Sequence, residues 1–202
     1  IELRWKLLTG PVFPHPTVML RKKILIENDI FYNEKFSATQ DYDLWIRLIH
    51  YTDGTNLSLP LIEYRHYKES ISKSDSKIQE KLRLQLSAQS LTNLIKTRII
   101  STRQAAVFEK VIKYDFYSLS LPELKQGCEL FYHVLKKFYM HTYNSKISKT
   151  KWRMELLFDF FNHFEKYIRK NIVDNESKIN TPSIEFLQLR IIQKSLRCML
   201  VF

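Results

Sequence analysis

Gln40-Asp41-Tyr42-Asp43 places two carboxylates and an amide just ahead of an apolar run, Leu44-Trp45-Ile46-Arg47-Leu48. Leu44, Trp45 and Leu48 fall on one face at helical spacing, so Gln40 and Asp41 stand near the N-terminus of a helix. The helix dipole and the free backbone N–H groups there favour an ionised carboxylate. Such a position suits a base that takes a proton from a hydroxyl, and it equally suits an N-terminal cap. Asp43, two positions on, points elsewhere around the helix and reads as a solvated or capping carboxylate.

Other candidate residues flank this cluster. His15 precedes Pro16, which favours an extended backbone at His15. Tyr32-Asn33-Glu34-Lys35-Phe36 comes next, and downstream stand Tyr64-Arg65-His66 and Glu69-Ser70-Ile71-Ser72. The order His-Pro-Thr-Val-Met, Tyr-Asn-Glu-x-Phe, Gln-Asp-Tyr-Asp-Leu-Trp, Tyr-Arg-His resembles the C-terminal half of the catalytic domain of family 2 inverting glycosyltransferases with the GT-A fold. The resemblance spans roughly residues 8 to 73.

The resemblance implies a sugar transferred with inversion from a nucleotide-sugar donor to a glycan or lipid-linked acceptor, in surface polysaccharide synthesis. It implies Asp41 as the general base, with Gln40, Arg65 and His15 supporting the acceptor side. It implies a divalent metal, Mg²⁺ or Mn²⁺, with His66 as a possible neighbour and the main ligands upstream of Ile1. Two departures stand out: Gln40 occupies the place of a family glutamate, and His66 sits one residue early. They leave open a catalytically inactive relative, or a basic helical module that binds or scaffolds. The nucleotide-binding half would precede this chain, which alone would then be inactive.

Elements must position these groups. Pro16–Leu20 reads as a short strand, Arg21–Asn28 as a helix and Thr52–Thr55 as a turn. Leu57–Tyr64 reads as an edge strand, because Pro60 lacks an N–H, and Ser70–Ser76 as a polar linker. From there the pattern is helical. Ile78, Leu82, Leu86, Leu91, Leu94, Ile95 and Ile99 keep helical spacing, as do Val107, Phe108, Val111 and Ile112. Ser120-Leu121-Pro122-Glu123 forms a capping box ahead of Leu130, Phe131, Val134, Leu135 and Phe138. Thr150 is a cap for a helix carrying Trp152, Leu157, Phe160 and Phe164. Thr181-Pro182 opens a last helix. The fold expected is therefore an α/β GT-A-like partial domain over residues 1–76, followed by a mainly α-helical region over 77–202.

Charge follows the same division. The chain of 202 residues has a net charge of +11. Residues 1–76 hold 10 basic and 10 acidic residues, so the excess lies entirely in 77–202. An anionic membrane surface is the partner such an excess suits, with Lys136-Lys137-Phe138-Tyr139 and Lys166–Lys170 as the spots. Nucleic acid fits less well, since the interleaved aromatics fall on helical faces suited to a core. Two cysteines, Cys128 and Cys198, form neither a metal-site pattern nor a disulfide framework. No apolar run reaches about 18 residues and no leader is visible. The expected location is cytoplasmic, peripheral on the inner face of the membrane.

Overall fold

The computed structural model describes residues 1–36, 38–63, 65, 76–141, 146–176 and 194. Seven α-helices run through them: α1 (Glu2–Lys6), α2 (Lys22–Glu27), α3 (Gln40–Leu48), α4 (Ser76–Ile95), α5 (Thr102–Ile112), α6 (Leu121–His141) and α7 (Lys146–Glu176). Short 3₁₀ turns cover His15–Thr17 and Phe116–Ser118.

No strand occurs among the described residues, which overturns the α/β expectation. The segment read as a strand at Pro16–Leu20 opens instead in a turn, where the Thr17 N–H and hydroxyl both donate to the Pro14 carbonyl. Residues 57–63 carry a β-like composition but bend at Ser58 and Leu59. A strand is held by the ladder it makes with a neighbour, and among the described residues no ladder forms here.

The chain divides into two compact units. The first comprises Ile1–Asn93 with Ile99–Thr102, and the second comprises Leu94–Arg98 and everything from Arg103 onward. The boundary expected at residue 76 coincides with the start of α4, and α4 groups with the first unit as far as Asn93.

Unit 1 is built around α3. Tyr42, Leu44, Trp45 and Leu48 are buried with Leu7, Ile30 and Leu86. The chain leaving α1 has three successive carbonyls to satisfy. The Tyr42 hydroxyl donates to Leu7 O at 2.7 Å, the Ser87 hydroxyl donates to Leu8 O at 2.6 Å, and the Arg83 guanidinium donates to Thr9 O. One short segment thus fixes α3 and α4 through bonds that a buried backbone requires. After α2 the chain turns through Asp29 at φ 52°, with Ile30 N–H returning to Leu25 O, a left-handed helix ending made here without glycine.

Unit 2 packs α5, α6 and α7 on their apolar faces. Leu124, Cys128, Phe131, Val134, Leu135 and Phe138 of α6 are buried, as are Phe160, Phe164, Tyr167 and Ile168 of α7. Phe116, in the 3₁₀ turn, lies among Phe160, Phe164 and Tyr167 at centroid distances of 5.9, 5.3 and 5.6 Å. Two expectations shift at helix ends. Thr150 lies inside α7, which begins at Lys146. Ile99 lies beyond α4, exposed, after the chain turns at Lys96 with φ 61°. The helix read from Thr181-Pro182 falls outside the described residues apart from Lys194.

Gly127 is where α6 meets α5. A Cβ at this position would lie 2.6 Å from a Val111 methyl and 2.9 Å from a Val107 methyl. Alanine gains about 1 kcal/mol of helix propensity, but β-branched valines in a helix have little rotamer freedom to retreat. Overpacking of this kind costs about 1–3 kcal/mol, so Gly127→Ala is expected to lower stability. A urea midpoint equal to or above the parent's would contradict it.

The Glu123 half of the capping box at α6 forms. The Glu123 carboxylate accepts the Ser120 hydroxyl at 2.7 Å and the Ser120 N–H at 3.1 Å, and Arg103 lies 3.1 Å from its other oxygen. These contacts, Ser120's first, hold the Glu123 carboxyl down to about 2. That value is below the ordinary 4.5 of the unfolded chain, so the stabilisation is full above that ordinary value and fades as pH falls towards 2. Thermal melts of the parent and Glu123→Gln should differ at pH 6 and converge at pH 2. A gap that persists at pH 2 would refute the linkage.

Candidate functional site

Asp41 and Asp43 meet different fates on α3. Asp43 is buried, and its Oδ2 accepts from Arg47 Nε at 3.0 Å and from Arg47 Nη2 at 2.7 Å. The same guanidinium donates to Phe31 O at 2.5 Å. The reading of Asp43 as a solvated or capping carboxylate is therefore corrected: it is a structural ion pair tying α3 to the chain before it. An i,i+4 Asp–Arg spacing makes this pair local, and burial makes it matter.

Asp41 is half-buried. Its Oδ1 accepts the Tyr42 N–H at 2.8 Å, and no other hydrogen bond reaches its carboxylate among the described residues. One turn on, at i+4, comes Trp45, so the two lie on the same helix face. Thr39, the residue before the helix, makes no side-chain capping bond, and its buried Oγ1 has no partner among the described residues.

Trp45 is the centre of an aromatic cluster. Phe13 meets it edge-on at 5.9 Å and the His15 ring lies 6.4 Å away. His15 Nε2 and the Tyr32 hydroxyl are hydrogen-bonded at 2.8 Å. The Trp45 indole N–H is buried and has no hydrogen-bond partner among the described residues. Buried donors are nearly always paired, and an orphan one costs about 1–3 kcal/mol.

Trp45 also lines an open groove of about 660 Å³. Phe13, Val18, Leu20, Ile24 and Leu48 line it from one side and much of the 52–62 segment from the other. That segment is pinned at its start: Arg4 bonds the Thr52 carbonyl and the Asp53 carboxylate, and Asn56 Nδ2 donates to Val12 O at 3.1 Å. Gly54 lies so close to the Phe13 ring that a Cβ would approach to 2.5 Å.

Of the residues singled out by sequence, His15 lies near the Trp45 ring, Asp41 stands one turn before Trp45 on α3 and Gln40 opens the same helix, but none of these three is among the described residues that line the groove. Arg65 is exposed and does not line the groove. His66 lies outside the described residues. Tyr32, Phe13 and the indole of Trp45 were not read as site residues. The signal available was the density of aromatics near His15 and α3. It does not distinguish a core from a groove wall.

The described residues offer no metal-binding group of their own, and His66 lies outside them. No three His, Cys, Asp or Glu side chains gather among the described residues. Asp41 and Asp43 are two apart on a helix, and Asp43 is taken by Arg47.

The basic spots are also resolved. Phe138, Tyr167 and Ile168 are buried in the core of unit 2, while Lys136, Lys166, Arg169 and Lys170 are exposed. Among the described residues no helix is long and apolar enough to cross a membrane.

Comparison with protein-family models, with curated proteins and with solved structures gave no match. Together with the helical structure, which has no strand among the described residues, this overturns membership of family 2 of the glycosyltransferases. The ordered motifs that carry the resemblance are short, and each has a local structural use here: a turn at His15–Thr17, a helix start at Gln40 and an ion pair at Asp43.

Proposed function

We propose that unit 1 binds a sugar-bearing acceptor, a glycan or lipid-linked saccharide, in the Trp45 groove for transfer of a sugar from a nucleotide-sugar donor. The observation that carries this reading is the partnerless indole N–H of Trp45, bordering a groove and one turn from a carboxylate with an unengaged oxygen. A ligand hydroxyl or ether oxygen would satisfy that donor. The half-buried Phe13 ring and the apolar side chains Val18, Leu20 and Ile24 of the groove wall suit the C–H side of a sugar.

In the transfer, Asp41 takes the proton of the acceptor hydroxyl. That oxygen bonds to the anomeric carbon from the face opposite the nucleotide diphosphate, which leaves with the electron pair of the broken C–O bond. Inversion at the anomeric carbon results. The groove contributes by holding the hydroxyl in line, where correct placement accounts for much of the rate.

Labelling the three tryptophans with ¹⁵N gives one indole signal each, and Trp45→Phe assigns the one that matters. Neutral oligosaccharides should shift that signal selectively. A panel of hexose, hexosamine and deoxyhexose oligomers that leaves it unmoved at millimolar concentration would refute the reading.

A further inference from the structure

Residues 57–63 make no hydrogen bond among the described residues, through backbone or side chain. The segment is nonetheless apolar. Leu57 is 70% exposed, Leu59 71%, Leu61 70% and Ile62 51%, and Met19, which lines the same groove, is 98% exposed. Between Asp53, which is paired with Arg4, and Glu63 the chain carries no charge. Its start is held by Arg4 and Asn56, so the unpaired stretch is presented from a fixed point. An unpaired, uncharged, apolar stretch of backbone is a template for another strand. A ladder would satisfy its N–H and C=O groups and cover its side chains at once.

We infer that the partner is a second copy of this chain, paired antiparallel through residues 57–63 about a two-fold axis at Pro60. The register suits a copy. With Pro60 opposite Pro60 in a non-hydrogen-bonded pair, the groups aimed at the partner belong to residues 57, 59, 61 and 63. Pro60, which has no N–H, then faces away, and no ladder bond is lost. Leu59 of one copy lies opposite Leu61 of the other, on the face that also carries Leu57. Glu63, the one charge in the stretch, falls at its ends. At strand spacing it stands about 20 Å from its symmetry mate, well beyond a Debye length of about 8 Å. The area suits a copy too. A stable dimer hides about 800 Å² on each partner. Met19, Leu57, Leu59, Leu61 and Ile62 supply well over half of that at roughly 100 Å² each, and the backbone between them adds to it. The bend at Ser58 and Leu59 belongs to the single copy, and pairing draws it straight. None of this depends on the saccharide reading of the groove.

Sedimentation equilibrium of the full chain, between about 1 and 100 μM, tests the pairing. The chain of 24.3 kDa should show a monomer–dimer equilibrium with no larger species, because a two-fold contact closes on itself. Leu59→Glu sets like charges across the axis and should weaken the dimer at least about tenfold. Leu61→Pro deletes an N–H that faces the partner and should weaken it as much. Ile62→Pro deletes one that faces away and should stay within about threefold of the parent. These side chains are exposed, so the melting temperature of the monomer should hold in all three. In a Cys128→Ala, Cys198→Ser background, Pro60→Cys should oxidise to a covalent dimer. Leu57→Cys, about 20 Å from its mate, should not.

A monomer at every concentration would overturn the inference and give this segment to a different protein. So would species that grow past the dimer, or an affinity unchanged in Leu59→Glu. Equal losses in Leu61→Pro and Ile62→Pro, or equal cross-linking at positions 57 and 60, would overturn the register and with it the two-fold at Pro60. A dimer that behaves as expected while Trp45 ignores every saccharide keeps this inference and removes only the sugar reading.

Discussion

Phe160→Ala is expected to cost unit 2 about 3–5 kcal/mol. Phe160 is fully buried and is the hub of the aromatic core. Phe131 stacks on it at 4.5 Å, Phe164 at 5.8 Å, and Phe116 meets it edge-on at 5.9 Å. Truncation removes the ring's transfer free energy and leaves a cavity that three stiff neighbours cannot close. It also removes several aromatic pairs, each worth about 0.5–1.5 kcal/mol beyond its area. Phe160→Leu keeps most of the volume and should cost distinctly less. Urea unfolding with near-ultraviolet circular dichroism reads both. A loss below about 1 kcal/mol in the alanine variant would mean that the ring cluster is not the packing centre described here, since buried Phe→Ala changes of this type fall well above that.

If the chain acts in sugar transfer as proposed, Asp41→Asn is expected to lower it about 10²–10⁴-fold, the usual worth of a positioned general base. Asparagine keeps the acceptor oxygen that holds the Tyr42 N–H but cannot take a proton, so the fold should be little changed. Asp43→Asn is the contrasting variant. It leaves Arg47 without its charge partner at 2.7 Å and should lower stability by about 1–3 kcal/mol while leaving the Asp41 carboxylate in place. Transfer is measured with a panel of nucleotide sugars and a membrane extract as acceptor, beside melting curves of each variant. A full rate in Asp41→Asn removes the base assignment and turns the chain towards a binding module. A rate loss in Asp43→Asn that survives correction for unfolded protein would show that the ion pair, not Asp41, governs the chemistry.

Local patterns were legible where the information is local. The helices of the second unit follow from apolar residues at 3.6-residue spacing, and α3 follows from Leu44, Trp45 and Leu48. The Ser120–Glu123 box was readable because both partners lie within one turn. Spacing alone showed that Cys128 and Cys198 form neither a metal-site pattern nor a disulfide framework. The structure adds that Cys128 is buried, which pushes its thiol up to about 12. The strand readings failed for a reason of the same kind. Alternation at Leu57, Leu59 and Leu61 describes a segment able to pair, but pairing is a property of two segments.

The site divides along that line. The sequence by itself determined that Asp41 stands at the start of a helix, that Trp45 follows one turn later, and that the charge excess lies in the second part of the chain. These depend on residue order and on helix geometry, which every short segment obeys. Only the tertiary structure decided which aspartate is free and which is spent on Arg47, because burial and the position of the Phe31 carbonyl set that choice. It also decided that Trp45 borders a groove with its N–H unpaired among the described residues, that Tyr32 meets His15, and that Asp53 pairs with Arg4. Each of these joins residues distant in sequence, and packing of the whole unit, not any local rule, brings them to the same place.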